Sequence, residues 1–133
     1  MGRIITSVTI GGFVDPNREI RCDALVDTGA YCLTVPAAWK ERLGPLPVVR
    51  LVQAATVDHR IVDAEIAGPV LIRLAGFEAV VGEVLFMPGD FSEDGFEVLV
   101  GYVTLEQVGV AVDMVRHRLV KLPHVDLKTA RAA

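Results

Sequence analysis

The segment Ala24-Leu25-Val26-Asp27-Thr28-Gly29-Ala30 leads three apolar residues up to an aspartate and then turns on a glycine. Upstream, Ile20, Cys22, Ala24 and Val26 alternate with Glu19, Arg21 and Asp23, the period of a half-buried strand that delivers the chain into Asp27. An aspartate in an ordinary turn sits between solvated residues. Asp27 follows an apolar run instead, where an ionised carboxylate is costly, and this favours a chemical role over a plain turn.

Further toward the N-terminus, Ile4, Thr6, Val8 and Ile10 share one face of an alternating run that stops at Gly11-Gly12, and Asp15-Pro16-Asn17 continues the turn. The two runs therefore predict a hairpin. Downstream of the aspartate, Pro36 suits a first helical turn, Trp39 and Leu43 lie one turn apart, and Gly44-Pro45 ends a short helix. From Val48 to Phe86 short runs of Val, Ile, Leu, Ala and Phe are punctuated by Asp58-His59, Gly68-Pro69, Gly76 and Gly82, which reads as successive strands. Pro88 to Glu97 has the composition of a surface loop. Thr104 to Gly109 reads as a capped turn or two of helix, and Val110 to Val115 with Arg118 to Leu122 as a closing hairpin. The predicted class is mainly β, with one or two short helices, in a single domain over residues 1–122 and a C-terminal tail over residues 123–133.

The chain has 133 residues, 52% of them apolar, enough to enclose one hydrophobic core and short for two. Its formal net charge of -4 argues against nucleic acid, since phosphate binding draws on clustered Lys and Arg. The densest basic group, Arg116, His117, Arg118 and Lys121, is interrupted by Leu119 and Val120. The most apolar region, Pro69 to Met87, is broken by Arg73, Glu78 and Glu83, short of the roughly 18 uninterrupted apolar residues of a membrane span. With no signal-peptide pattern at Met1-Gly2-Arg3, the expectation is a cytoplasmic protein without membrane or nucleic-acid partners. Cys22 and Cys32 lack metal-ligand spacing and are expected to be free thiols; no metal and no cofactor are expected. Ser7 and Ser92 lie in no Gly-x-Ser-x-Gly elbow, and nothing in the sequence pairs Cys32 with a histidine.

Two apolar residues followed by Asp27-Thr28-Gly29-Ala30 resemble the active-site motif of the retropepsin-like, or retroviral-type, aspartic peptidases. An Asp-Thr-Gly triplet alone arises by chance in roughly one chain in forty of this length. A second mark of the family, two apolar residues and a glycine in the C-terminal third, is matched by Leu99-Val100-Gly101, and the order of elements agrees over about residues 3 to 122. The resemblance implies a closed, acid-protease-type β-barrel and an active site completed by a second copy of the chain, because only one Asp-Thr-Gly is present. Water must lose a proton to a base while an acid protonates the peptide carbonyl, and two carboxyl groups sharing one proton supply both. By resemblance Asp27 is the catalytic residue. Thr28 bonds across the two-fold axis, Gly29 lets the backbone approach the carboxylates, Ala30 lines the cleft, and Leu99, Val100 and Gly101 pack behind the loop. The expected activity is that of a homodimeric aspartic endopeptidase acting on polypeptide substrate; the alternative is a peptide-binding or dimerisation module on the same fold.

The chain departs from the family pattern at Tyr31-Cys32, where relatives more often carry small or polar residues. The expected flap, a hairpin that closes over substrate, is placed at Val52 to Val62, with Thr56, Val57, Asp58, His59 and Arg60 at or beside its tip. That tip lacks the glycine that tight hairpin turns favour, and His59 there is read as a solvated turn residue.

Overall fold

The computed structural model describes residues 3–56, 58–89 and 97–125. The expected tail therefore lies outside the described residues from 126 onward, as do Val57 and the central part, 90–96, of the expected surface loop. Among the described residues no helix is long and apolar enough to cross a membrane.

The described residues form nine strands: β1 (Ile5–Gly12), β2 (Glu19–Val26), β3 (Leu33–Pro36), β4 (Val48–Ala55), β5 (Ile61–Leu74), β6 (Val80–Met87), β7 (Leu99–Val100), β8 (Val110–Asp113) and β9 (Arg118–Lys121). A 3₁₀ helix spans Ala37–Leu43 and an α-helix, α1, spans Tyr102–Val108. Seven strands join in the order β1-β2-β7-β3-β6-β5-β4, and β5 also pairs with β1 through Val8↔Leu74 to Gly12↔Val70. The sheet thus closes as a ring of six strands with β4 as a branch, and β8 and β9 form a separate hairpin. This is the mainly β, closed architecture expected from the sequence.

The alternating patterns become faces of the ring. Val8 and Ile10 of β1 and Ile20 and Ala24 of β2 point into the core, where they meet Val70, Ile72 and Leu74 of β5 and Phe86 of β6. Fully burying each large apolar side chain contributes about 1.5–3 kcal/mol, which is what holds a ring with few helices together. The β1–β2 turn is fastened by Asp15, whose carboxylate accepts the Asn17 N–H at 3.2 Å and whose carbonyl accepts the Arg18 N–H at 3.0 Å.

Two glycine-based readings of the sequence change. Gly68-Pro69, expected as punctuation between strands, lies inside the single 14-residue strand β5, at a register shift between Ala67 and Val70. Proline has no N–H to give to a ladder, so it sits at the bulge. There β5 changes partners, from β4 over Ile61–Gly68 to β1 over Val70–Leu74. Gly82 is likewise within β6, where a Cβ would come within 2.8 Å of the Gln107 Oε1 on α1. Gly11 and Gly12, by contrast, close the first strand as expected: they are the last two residues of β1 and pair with β2 or β5 before the turn.

The two neighbouring glycines differ in what surrounds them. A Cβ on Gly11 would make an ordinary 3.6 Å contact with Leu71, whereas one on Gly12 would overlap the Leu43 carbonyl oxygen and lie 2.7 Å from that of Asp15. Both obstructions are backbone and cannot swing away. Gly11→Ala is therefore expected to leave stability within about 0.5 kcal/mol, and Gly12→Ala to cost about 2 kcal/mol or more, measured by urea unfolding.

Candidate active site

Strand β2 ends at Val26, and the next four residues are shaped by their neighbours in β7 and α1. The Leu25 N–H donates to the Val98 carbonyl at 2.8 Å and the Asp27 N–H to that of Val100 at 3.0 Å, so β7 runs parallel to β2 up to the aspartate. Within the turn, the Ala30 N–H donates to the Asp27 carbonyl at 3.1 Å. One carboxylate oxygen of Asp27 accepts the Gly29 N–H at 2.9 Å, which fixes the side chain from within its own loop. Asp27 and Ala30 are half-buried, and Thr28 and Gly29 are exposed.

Leu99, Val100 and Gly101 are thus brought directly against the Asp27 loop. Val100 is fully buried, Leu99 is half-buried and pairs with Thr34 of β3, and Gly101 immediately precedes α1 as its N-cap residue. A Cβ on Gly101 would lie 2.5 Å from the Ala30 carbonyl oxygen, 2.6 Å from the Tyr31 carbonyl carbon and on top of the Cys32 nitrogen. Only glycine permits this approach. Its φ of -88° is ordinary, so the requirement is for space and not for a left-handed backbone.

The same approach explains why α1 starts at Tyr102 and not at Thr104. Helix termini need partners for their first N–H groups, and here no side chain caps them. The Tyr102 and Val103 N–H groups donate to the carbonyls of Ala30 and Tyr31 at 2.9 and 2.8 Å, so the loop carrying Asp27 is itself the cap. Thr104, expected at the cap, is fully buried, and its Oγ1 accepts the Leu33 N–H at 2.9 Å. Sequence reasoning gave Thr104 no part in the site; a threonine three residues after Gly101, on the inner face of a short helix, is the signal it carried. At the other end, Gly109 takes the left-handed conformation, φ 80°, that terminates helices, as expected.

The hairpin of β4 and β5 extends beyond β6, whose pairing with β5 begins at Glu65↔Phe86, while β4–β5 pairing continues out to Ala55↔Ile61. The free part corresponds to the Val52 to Val62 hairpin read from the sequence. At its end, the Thr56 N–H donates to the Arg60 carbonyl at 2.8 Å and the His59 N–H to the Thr56 carbonyl at 3.0 Å. His59, exposed and with φ 62°, takes the left-handed position for which a glycine was missing. The turn is tied further by the Thr56 hydroxyl, which bonds to the Asp58 carboxylate, and by an Asp58–Arg60 ion pair at 2.9 Å. The Thr56 bond, with Arg60 nearby, holds the Asp58 carboxyl below the usual carboxylate range.

Around Asp27 the surface opens into a concavity of about 400 Å³ lined by Arg3, Ile4, Leu25, Val26, Thr28, Val112 and Met114. Apart from Arg3, Asp27 and Thr28 its walls are apolar. Among the described residues no group of His, Cys, Asp or Glu is arranged to hold a metal ion. Both cysteines are free thiols. Cys32 is buried beside the loop, and burial pushes its thiol from 9.0 up to about 11, so it is protonated at neutral pH and is no nucleophile.

No protein-family model matches the chain, and no curated protein matches it. Among solved structures, the chain is similar to EIAV protease, determined in complex with the inhibitor HBY-793. The likeness has a TM-score of 0.56 at 22% sequence identity and covers 81% of this chain and 89% of that one. The fold is therefore retropepsin-like, at a distance where sequence matching is silent.

Two measurements probe this construction. Thr104→Val keeps the shape but leaves the buried Leu33 N–H without an acceptor, and is expected to cost about 1–3 kcal/mol in denaturant unfolding. For Cys32, the folded thiol holds its proton up to about 11 while the unfolded thiol loses it near 9.0, so its contribution to stability is present below pH 9 and is lost as pH rises through 11. Native protein at pH 8 is accordingly expected to leave Cys32 unlabelled by iodoacetamide until denaturant is added, read by peptide mass spectrometry.

Proposed function

We propose that the chain is an aspartic endopeptidase that works as a homodimer, with Asp27 and the partner's Asp27 activating a water molecule between them. The observation that carries this reading is the Asp27 loop itself: a half-buried carboxylate, oriented by the Gly29 N–H, at the rim of an apolar concavity in a retropepsin-like fold.

A lone carboxylate can act as base or as acid, and amide hydrolysis requires both in one encounter. A two-fold axis beside Asp27 meets that need, since two carboxyl groups at about 3 Å hold one proton between them and titrate as a pair. The exposure of Thr28 and Gly29 supports this geometry, for they are free to meet the partner loop and an extended peptide. Thr28 then bonds across the axis and Ala30 lines the floor. The Val52 to Val62 hairpin covers the bound peptide, with Thr56, Asp58, His59 and Arg60 nearest its end. The apolar concavity beside Asp27 suits burial against a second copy, and Leu99 and Val100 exclude water from behind. The reaction needs no cofactor, and the site is expected to belong to a cytoplasmic protein whose domain ends near residue 122.

The deciding experiment is a peptide-library digest with purified wild type and Asp27→Asn, alongside sedimentation of both. Wild type is expected to cut extended peptides fastest at mildly acidic pH, with specific activity that rises with protein concentration. Asp27→Asn is expected to remain dimeric and to lose at least about a thousandfold in turnover. Equal cleavage by the variant in a clean preparation would sink the mechanism, and a wild-type dimer that holds peptide without products would make the chain a peptide-binding module instead.

A further inference from the structure

In the seven-stranded sheet every strand has two neighbours except β4, whose one partner among the described residues is β5. At the tip of their hairpin the Thr56 N–H donates to the Arg60 carbonyl, and antiparallel bonding alternates from there. Arg50 and Val52 therefore bond to β5, while the N–H and C=O groups of Val49 and Leu51 point out of the sheet. Such an edge is a template for another chain, and folded proteins blunt it with lysine, proline or a bulge. β4 has none of the three. Its eight residues pair with β5 in unbroken register, and its one charged side chain, Arg50, is ion-paired with Glu83 of β6 at 3.5 Å.

The two faces of this hairpin differ. Val52 and Ala54 pack with Cys32, on the side of the Asp27 loop. The opposite face carries Leu51, Asp63 and Glu65, and together with Ala37 and Lys40 of the 3₁₀ helix and Phe86 of β6 it encloses a concavity of about 410 Å³. That size is within the range of binding sites. Leu51, 79% exposed, stands at its rim, so apolar surface runs from the open edge into the concavity. Lys40 is bonded to Glu65 at 2.6 Å, and Asp63 has no ion-pair partner among the described residues. The concavity thus carries one carboxylate in excess.

Both features suit one kind of occupant. A strand added to β4 takes affinity from backbone bonds to Val49 and Leu51, and selectivity from its alternate side chains. On the side of the concavity those side chains fall beside Leu51, which pairs with Glu65, and beside Gln53, which pairs with Asp63. A residue beside Gln53 lies two strand spacings, about 10 Å, from Asp63, a gap that a lysine or arginine spans by laying its stem over the sheet.

We propose that the base of β4 docks an extended segment of a partner polypeptide that carries a lysine or arginine between apolar residues on one face. The docking face is turned away from the Asp27 loop, and the proposal holds whether or not the chain cuts peptides.

The test is residue-resolved amide exchange by NMR on the Asp27→Asn protein, chosen so that the probe stays intact. The probe is acetyl-Thr-Val-Thr-Lys-Thr-Val-Thr-amide, which places Val, Lys and Val on one face in either strand direction; its control has glutamate for lysine. Without probe, the amides of Val49 and Leu51 are expected to exchange freely and those of Arg50 and Val52 slowly. Saturating probe is expected to slow Val49 and Leu51 by at least about tenfold and to leave Arg50 and Val52 unchanged. Leu51→Pro, which removes an outward N–H and no bond to β5, should abolish that effect. Asp63→Asn, at an exposed position that folds irrespective of Leu51→Pro, should weaken the lysine probe about threefold and narrow its advantage over the control. Unslowed exchange at Val49 and Leu51, equal binding of the glutamate peptide, or an advantage untouched by Asp63→Asn would each overturn the proposal. So would slowing that grows with protein concentration in the absence of probe, which makes a second copy of the chain the occupant.

Discussion

The arrangement around Asp27 depends on the close approach of Gly101 to the backbone of Ala30, Tyr31 and Cys32. With no Cβ in the way, β7 can pair alongside β2 and then turn into a helix whose first two N–H groups face the carbonyls of Ala30 and Tyr31. One contact therefore performs three tasks: it completes the ring between β2 and β3, caps α1 without a capping side chain, and holds the aspartate loop by its backbone. Backbone bonds leave the side chains of Thr28 and Ala30 uncommitted. A loop fixed through its side chains could not present them to anything else.

What could be read in the sequence was what repeats locally. The alternation in Ile4–Ile10 and Ile20–Val26 gave β1, β2 and their hairpin, and Gly109 marked the end of α1 because its left-handed role depends on its immediate neighbours. The pairing of β7 with β2 left no such trace: two residues are too short to carry a period, and their partner lies more than 70 positions away. Leu99-Val100-Gly101 was noticed only through its resemblance to a family pattern. Its reason, the missing space at Gly101, exists only in three dimensions.

Glycine misled where it marks proximity and not a turn. Gly68 and Gly82 lie within strands because a neighbouring backbone or side chain occupies the space of a Cβ, and composition cannot distinguish that from a loop. The converse holds at the hairpin tip. There the left-handed position is filled by His59, held by backbone bonds to Thr56 and by the Thr56–Asp58–Arg60 set, so the lack of glycine is no obstacle to a hairpin. Thr104 misled for a third reason, since a threonine at a helix start and one buried against a neighbouring strand look alike until the partner is known.

In the proposed dimer, the stiffness of the loop determines what two facing carboxylates do. At a separation of about 3 Å and an effective dielectric of about 20, two ionised groups repel by about 5 kcal/mol. They can relieve this in two ways, by taking up a proton or by moving apart, and doubling the distance would halve the cost. The loop opposes the second route. Each net backbone hydrogen bond contributes about 1 kcal/mol, and four of them, from Asp27, Ala30, Tyr102 and Val103, would have to stretch together, against the packing of Gly101. A pair held in this way relaxes by binding a proton, and a shared proton is what makes one carboxyl group an acid while leaving the other a base. The aspartate supplies the carboxylate, and the close approach of a glycine seventy-four positions later supplies the rigidity of the loop that carries it.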